Sequence, residues 1–229
     1  MTETGTGPAP TGQVAALARA RGLGAWVERT FLPKKGLFLR KWEGSRLYFF
    51  VGGLVVTGPG DFAAAYDWRT ASVLQSVTSV NGVVQEARYT VFDRSGAAVG
   101  LGRGGDMLFP RQHAGLGITS LVKGAPFTFE GDWGPYIQQR IAEERGAEVL
   151  ADLERGGTVP FGAVTLSRSG VTVQERSAAW DGLGDVRASD GQVLFPDAGG
   201  RRQALPSVPA THVANLVLFL AVCRHVGAA

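Results

Sequence analysis

Glycine punctuation limits what this chain can become. Glycine occurs 33 times in 229 residues, and between Ala25 and Phe109 it cuts the apolar residues into short runs. Trp26–Leu32, Leu37–Trp42, Arg46–Val51, Leu54–Thr57 and Phe62–Trp68 are too short for isolated helices and carry the β-branched and aromatic residues of strands. Val73–Val80 and Val83–Phe92 flank Asn81-Gly82, a pair that accepts the positive φ of a two-residue hairpin turn. Asp93-Arg94-Ser95-Gly96 marks the next turn, leading into Ala97–Leu101. After a short strand at Phe127–Phe129 the period changes. Gly134-Pro135 opens a helix with proline at its tolerated first position. Ile137 and Ile141 share one face, Val149, Leu150 and Leu153 a rotated one, with Gly146 as the expected kink and Gly156-Gly157 as the stop.

The same order then recurs. Phe161–Leu166 and Val171–Glu175 flank a turn at Ser167–Gly170. Ala178–Trp180, Asp185–Ala188, Gln192–Phe195 and Arg201–Leu205 read as further strands, with Asp190-Gly191 a hairpin turn. A last helix is expected from Pro209 to His225, where Val213, Leu216, Val217 and Leu220 repeat at i, i+3, i+4, i+7. Leu218, Phe219 and Val222 widen that stripe around the helix, which suggests packing between halves or a homodimer contact through the C-terminal helix. Strands, helix, strands, helix is a repeated supersecondary order. Gly53-Leu54-Val55-Val56 leading to Tyr66-Asp67-Trp68 is echoed by Gly170-Val171-Thr172-Val173 leading to Trp180-Asp181. The expected fold class is α+β and mainly β. It has a disordered tail over 1–12, a first half over 13–155 with a short leading helix at Gln13–Arg21 and a closing helix over 135–154, and a second half over 156–229 closed by the helix over 209–225.

Antiparallel strands plugged by one C-terminal helix resemble the pleckstrin-homology-like superfold. Several stretches are similar to an uncharacterised, mainly actinobacterial family built from two such halves. They are Arg46–Phe49 with Gly53–Val56, Tyr66-Asp67-Trp68, Gly156–Gly162, Gly170-Val171, Trp180-Asp181, and Val213–Leu216 with Phe219-Leu220. The resemblance spans roughly residues 23–226 and implies fold and family, with no functional residues to carry over. The second half offers about six strands where this fold has seven.

Composition narrows the function classes. One cysteine, Cys223, excludes an internal disulfide and a multi-cysteine metal site, and three scattered histidines (His113, His212, His225) leave little for a histidine site. No cofactor and no metal are expected. The longest apolar run, Leu216–Val222, is far short of the ~20 residues that span a bilayer, and Met1–Gly12 lacks the apolar core of a signal peptide. A cytoplasmic protein with no transmembrane segment is the expectation. Net charge is +3, which permits weak attraction to anionic surfaces without implying specific nucleic-acid binding. Gly100–Gly105 superficially resembles a phosphate-binding glycine loop but does not lead from a strand into a helix, and no GxxxxGK[ST] occurs. Cys223 and His225 are two apart on a helix, pointing about 200° away from each other, and do not form a nucleophile–base pair. Asp67 and Asp181 read as turn or strand-edge aspartates, Trp68 and Trp180 as core or barrel-mouth residues, and His212 as a solvated or capping residue. No catalytic residue emerges.

One segment stands apart. Leu32–Arg46 carries five positive charges and one negative, interleaved with Leu37, Phe38, Leu39 and Trp42. Read as a hairpin with Lys35-Gly36 at its tip, it has one basic and one apolar face. The bland alternative turns Leu37, Leu39 and Trp42 into the core and leaves the charges on a solvated edge strand. The candidate binding residues are Lys34, Lys35, Arg40, Lys41, Trp42 and Arg46. The expected function is a non-catalytic binding or scaffolding module for a protein segment or an anionic lipid surface, peripheral at the inner membrane face in the second case. A small-molecule carrier using a barrel interior is the alternative, and a hydrolase is the least supported.

Overall fold

Leu47-Tyr48-Phe49-Phe50 is buried along its whole length, so the strand it forms must be covered on both faces. The computed structural model describes residues 7–81, 83–104 and 110–227 and shows how. Strands β1 (Trp26–Phe31), β2 (Leu47–Phe50), β3 (Gly53–Thr57) and β4 (Ala63–Asp67) form an antiparallel sheet in that order. Leu47 and Phe49 point into a core with Phe31, Leu54 and Trp68. Tyr48 and Phe50 point the other way, under helix α1 (Gly12–Ala20), where they meet Val14, Ala18 and Leu23. At Gly53 a Cβ would strike the Tyr66 carbonyl across the β3–β4 ladder, so glycine is required by close approach. Within the free tail expected over 1–12, residues 7 and 8 are held. Gly7 N donates to Thr30 O (3.2 Å) and Thr30 Oγ1 to Pro8 O (3.1 Å), which ties residues 7 and 8 to β1. Residues 1–6 lie outside the described residues.

Strands β5 (Ser72–Val80), β6 (Val83–Phe92) and β7 (Ala97–Gly102) make the second sheet, with the expected hairpin register Val80↔Val83. Asn81 takes φ +52°; Gly82 lies outside the described residues. At the next turn Asp93 Oδ1 accepts from Ser95 N (2.9 Å) and Ala97 N (3.2 Å). Two elements are additions to the sequence reading. The short helix α2 (Pro110–Gly115) leads to β8 (Ser120–Lys123), which pairs parallel to β7.

Helix α3 runs unbroken over Glu130–Glu154. It begins five residues before the expected start at 135, because Phe129 in the left-handed conformation (φ +59°) turns the chain into it; Pro135 therefore sits inside the helix. The rotated apolar face has a packing cause rather than a kink. Trp133, Ile137 and Ile141 belong to the first core, and Val149 and Leu153 to a second. One helix thus serves both cores.

Beyond it, β9 (Thr158–Pro160), β10 (Val164–Ser167), β11 (Gly170–Val173) and β12 (Arg176–Ala179) form a third sheet. β13 (Arg187–Ser189), β14 (Gln192–Leu194) and β15 (Val208–Pro209) form a fourth. The second group therefore has seven strands, where the sequence shows about six. The sequence reading lacks β9, which pairs with β10, and β15, two residues long against Gln192 and Val193. Arg201–Leu205, read as a strand, makes only an isolated bridge between Pro196 and Gln203. Trp180 leaves its strand for a 3-10 turn, Trp180–Gly182, and is half-buried. The result is mixed α+β, mostly strands, in four separate sheets of which none closes.

Helix α4 (Leu216–Gly227) starts seven residues later than the expected 209. The intervening chain makes β15, a 3-10 turn (Ala210–His212), and Asn215 in the left-handed conformation (φ +53°). Asn215 is buried and joins the two groups. Its N–H donates to Val73 O (2.8 Å), its Oδ1 accepts from Val73 N (2.8 Å), and its Nδ2 donates to Ser72 Oγ (3.2 Å). The amide side chain acts as a short strand against the edge of β5. Arg145 of α3 adds a bond to Ala71 O (3.0 Å), and Leu74, Phe92, Ala98, Ile118 and Ala214 close an apolar seam. The many apolar faces of α4 are used inside the chain: Leu216, Leu218, Phe219, Val222 and Cys223 are buried in the second core.

Candidate functional site

Pro33 and Phe127 pair as an isolated bridge. Lys34 N donates to Pro126 O (2.7 Å) and Thr128 N to Leu32 O (2.9 Å). These bonds pin the start of the basic segment to the chain entering α3. The segment is not a hairpin. Leu37–Trp42 coils into a 3-10 helix, whose three residues per turn align Leu39 with Trp42, Leu37 with Arg40, and Phe38 with Lys41. Trp42 is buried in the first core and Leu39 packs on that core. Leu37 and Phe38 are left outside, 70% and 91% exposed. Each stands one turn from an exposed cation, Arg40 or Lys41.

The six candidate residues divide accordingly. Lys35, Arg40 and Lys41 are exposed. Lys41 Nζ also stands 5.1 Å from the centroid of the Trp42 ring, a cation–π contact. Trp42 itself is an anchor in the core, which corrects the reading of it as a contact residue. Arg46 is half-buried, and its Nη1 donates to Glu43 O and Ser45 O (both 2.7 Å), closing the loop behind the helix. Lys34 is engaged: Nζ lies 2.6 Å from Glu130 Oε1. The same oxygen takes Arg103 Nη2 at 3.1 Å. Burial pushes the Glu130 carboxyl up. The Lys34 hydrogen bond, a backbone N–H bond and the nearby Lys34 and Arg103 charges outweigh it and hold Glu130 below the usual carboxylate range.

Between the loop and its base lies a groove of about 470 Å³, lined among others by Pro33, Lys34, Lys35, Leu39 and Arg46. Beyond Leu32 and Lys35, on the other side, a second groove reaches Thr128 and Phe129. Leu32 and Phe129 are exposed apolar residues too. Among the described residues, four of the eight exposed large apolar side chains therefore gather at this end: Leu32, Leu37, Phe38 and Phe129. Period-2 alternation would put Leu37 on the same face as Leu39, whereas the 3-10 helix separates them. The signal for the exposure of Leu37 and Phe38 was the three-residue spacing of Leu39 and Trp42.

The other candidates fall away from chemistry. Gly100 and Gly102 are strand residues: a Cβ at Gly100 would overlap the Arg88 guanidinium, and one at Gly102 the Ala87 carbonyl. Gly105 lies outside the described residues. The hydrogen bond from Arg69 holds the Asp67 carboxyl low, while Asp181 is exposed. His212 is half-buried, with Nε2 3.0 Å from Gln112 Nε2, rather than solvated. Burial pushes the Cys223 thiol up to about 12. Trp68 is fully buried, as expected of a core residue. Among the described residues no group of three or more His, Cys, Asp or Glu is placed to hold a metal ion, and no helix is long and apolar enough to cross a membrane.

No curated protein and no solved structure matches the chain. Residues 127–229, from just ahead of α3 through the whole second group of strands to the C-terminus, match the model of DUF6585, a family of unknown function.

Proposed function

We propose that this chain is a non-catalytic module that docks reversibly on an anionic membrane surface through the loop over 33–42. The observation that carries the reading is the exposed Leu37–Phe38 pair at a turn of 3-10 helix flanked by Lys35, Arg40 and Lys41. A leucine and a phenylalanine left in water are costly unless something covers them, and cations beside them match the headgroup layer. Three cations near an anionic surface contribute about 1 kcal/mol each, and partial burial of the two side chains adds a few more. The total, less the cost of association, gives weak and reversible attachment rather than insertion.

The architecture supports this reading. The second group has four strands, then three, then a helix; the first has four strands, then three antiparallel strands extended by the parallel β8, then a helix, and on this likeness to a pleckstrin-homology-like unit we take the chain as two such halves in tandem. Trp68, Trp133, Phe49 and Phe127 are fully buried and fill the first core, which favours a surface-binding module over a carrier with an interior cavity. Co-sedimentation with vesicles containing phosphatidylserine at low ionic strength tests the proposal, with phosphatidylcholine vesicles as control. The wild type is expected to pellet with the anionic vesicles only. Leu37→Ser with Phe38→Ser, or Lys35→Glu with Lys41→Glu, is expected to release it. A wild type that stays in the supernatant overturns the reading.

A further inference from the structure

Lys34 and Arg103 come from distant parts of the chain yet converge on one carboxylate oxygen. Glu130 Oε1 lies 2.6 Å from Lys34 Nζ and 3.1 Å from Arg103 Nη2. The Glu130 side chain is only 12% exposed, while Lys34 is 25% and Arg103 47% exposed. The carboxylate is thus set back, with the cations in front of it. It is the first residue of α3, and the bridge between Pro33 and Phe127 fixes its distance from the loop. Lys34 also lines the groove at the base of the 3-10 helix, together with Lys35 and Arg46. A carboxylate held between two cations occupies the place that a lipid phosphate or carboxylate would take.

We propose that Glu130 is a built-in competitor of the membrane: in the free protein it holds Lys34 and Arg103 and cancels one of their two charges, leaving Lys35, Arg40 and Lys41 as the exposed cations of the loop. The inference rests on the membrane reading above and adds what sets its strength. With the carboxylate removed, two more cations face the headgroups. Attraction to an anionic surface grows with each cation presented, and it steepens with falling salt.

The test is the partition of Glu130→Gln onto phosphatidylserine vesicles, measured across a salt series beside wild type and Glu43→Gln. Glu43 lines the same groove, so its substitution removes an equal charge from the loop without freeing Lys34 or Arg103. Glu130→Gln is expected to bind about tenfold tighter than wild type at low salt, several-fold beyond Glu43→Gln, with a steeper salt dependence. Adding Lys34→Gln and Arg103→Gln to Glu130→Gln is expected to erase the gain. A gain no larger than that of Glu43→Gln, or one that survives the added substitutions, overturns the proposal while leaving the membrane reading standing. If the wild type stays free and Glu130→Gln binds, the competitor is supported and the docking of the unaltered protein is refuted. If neither binds, both fall. Should Glu130→Gln fail to fold, Glu130→Ser takes its place against Glu43→Ser. A gain beyond that of Glu43→Ser that Lys34→Gln with Arg103→Gln erases supports the proposal, and a gain no larger than that of Glu43→Ser overturns it.

Discussion

Asn215 carries three bonds across the seam between the two groups of strands, and its removal has a calculable cost. Asn215→Ala leaves the Val73 N–H without its Oδ1 acceptor at a fully buried position. A buried donor stripped of its partner costs about 1–3 kcal/mol. Alanine must also hold φ +53°, a conformation that asparagine tolerates and that adds about 1 kcal/mol for a Cβ without a local bond. The sum is about 2–4 kcal/mol, or a fall in Tm of roughly 5–15 °C for a chain of this size. Asn215→Gly loses the same bonds but relieves the backbone, so it should fall short of alanine by about 1 kcal/mol. Urea unfolding followed by tryptophan fluorescence reads both groups at once, because Trp68 and Trp133 lie in the first core and Trp180 packs on the second. The expected order of stability is wild type, glycine, alanine. A loss under about 0.5 kcal/mol for alanine, or glycine as damaging as alanine, would refute the view of Asn215 as a strand mimic held by its side chain.

Three further outcomes are expected. Gly134→Ala should unfold the chain or cost several kcal/mol, because the new Cβ overlaps the Tyr89 ring; a Tm unchanged within a degree would contradict the packing of α3 on β6. Cys223 should resist a thiol reagent at pH 8 in the native protein and react on unfolding, since burial keeps it protonated; rapid native labelling would contradict its place in the core. Glu130 is held below its ordinary range, so its contribution to stability is complete above the unfolded carboxylate pKa and is lost as pH falls through its lowered native value. Glu130→Gln should therefore flatten the acid limb of the stability curve, and an identical acid limb would count against the ion triad.

Much of the fold was legible where a local rule acts alone. Asn81 and Asp93 mark their turns by chemistry that needs no tertiary partner, and the ends of β10 and β11 follow from Ser167–Gly170 in the same way. What escaped was set at a distance. β15 is two residues long and exists only because β14 lies beside it. α3 starts at Glu130 because the strand-like pairing of Pro33 with Phe127 ends there and Phe129 turns left-handed. The basic segment was legible as a charge cluster, but its shape was not. Period 2 and period 3 differ by one position over six residues, and only the burial of Trp42 with Leu39 separates them. The pairing of Lys34 with Glu130 spans 96 residues, beyond any reading of spacing.

The central claim is that Leu37 and Phe38 enter the headgroup layer of an anionic membrane. Phe38→Cys, labelled with an environment-sensitive fluorophore, reports that entry directly, since the native Cys223 is buried and slow to label. Ser189→Cys, on an exposed strand of the second group, serves as the control site. Addition of phosphatidylserine vesicles at low salt should shift the emission of the label at position 38 to the blue and quench it with lipid-borne quenchers. The label at 189, and either label with phosphatidylcholine vesicles, should not respond. An unresponsive label at position 38, or an equal response at 189, would contradict the account.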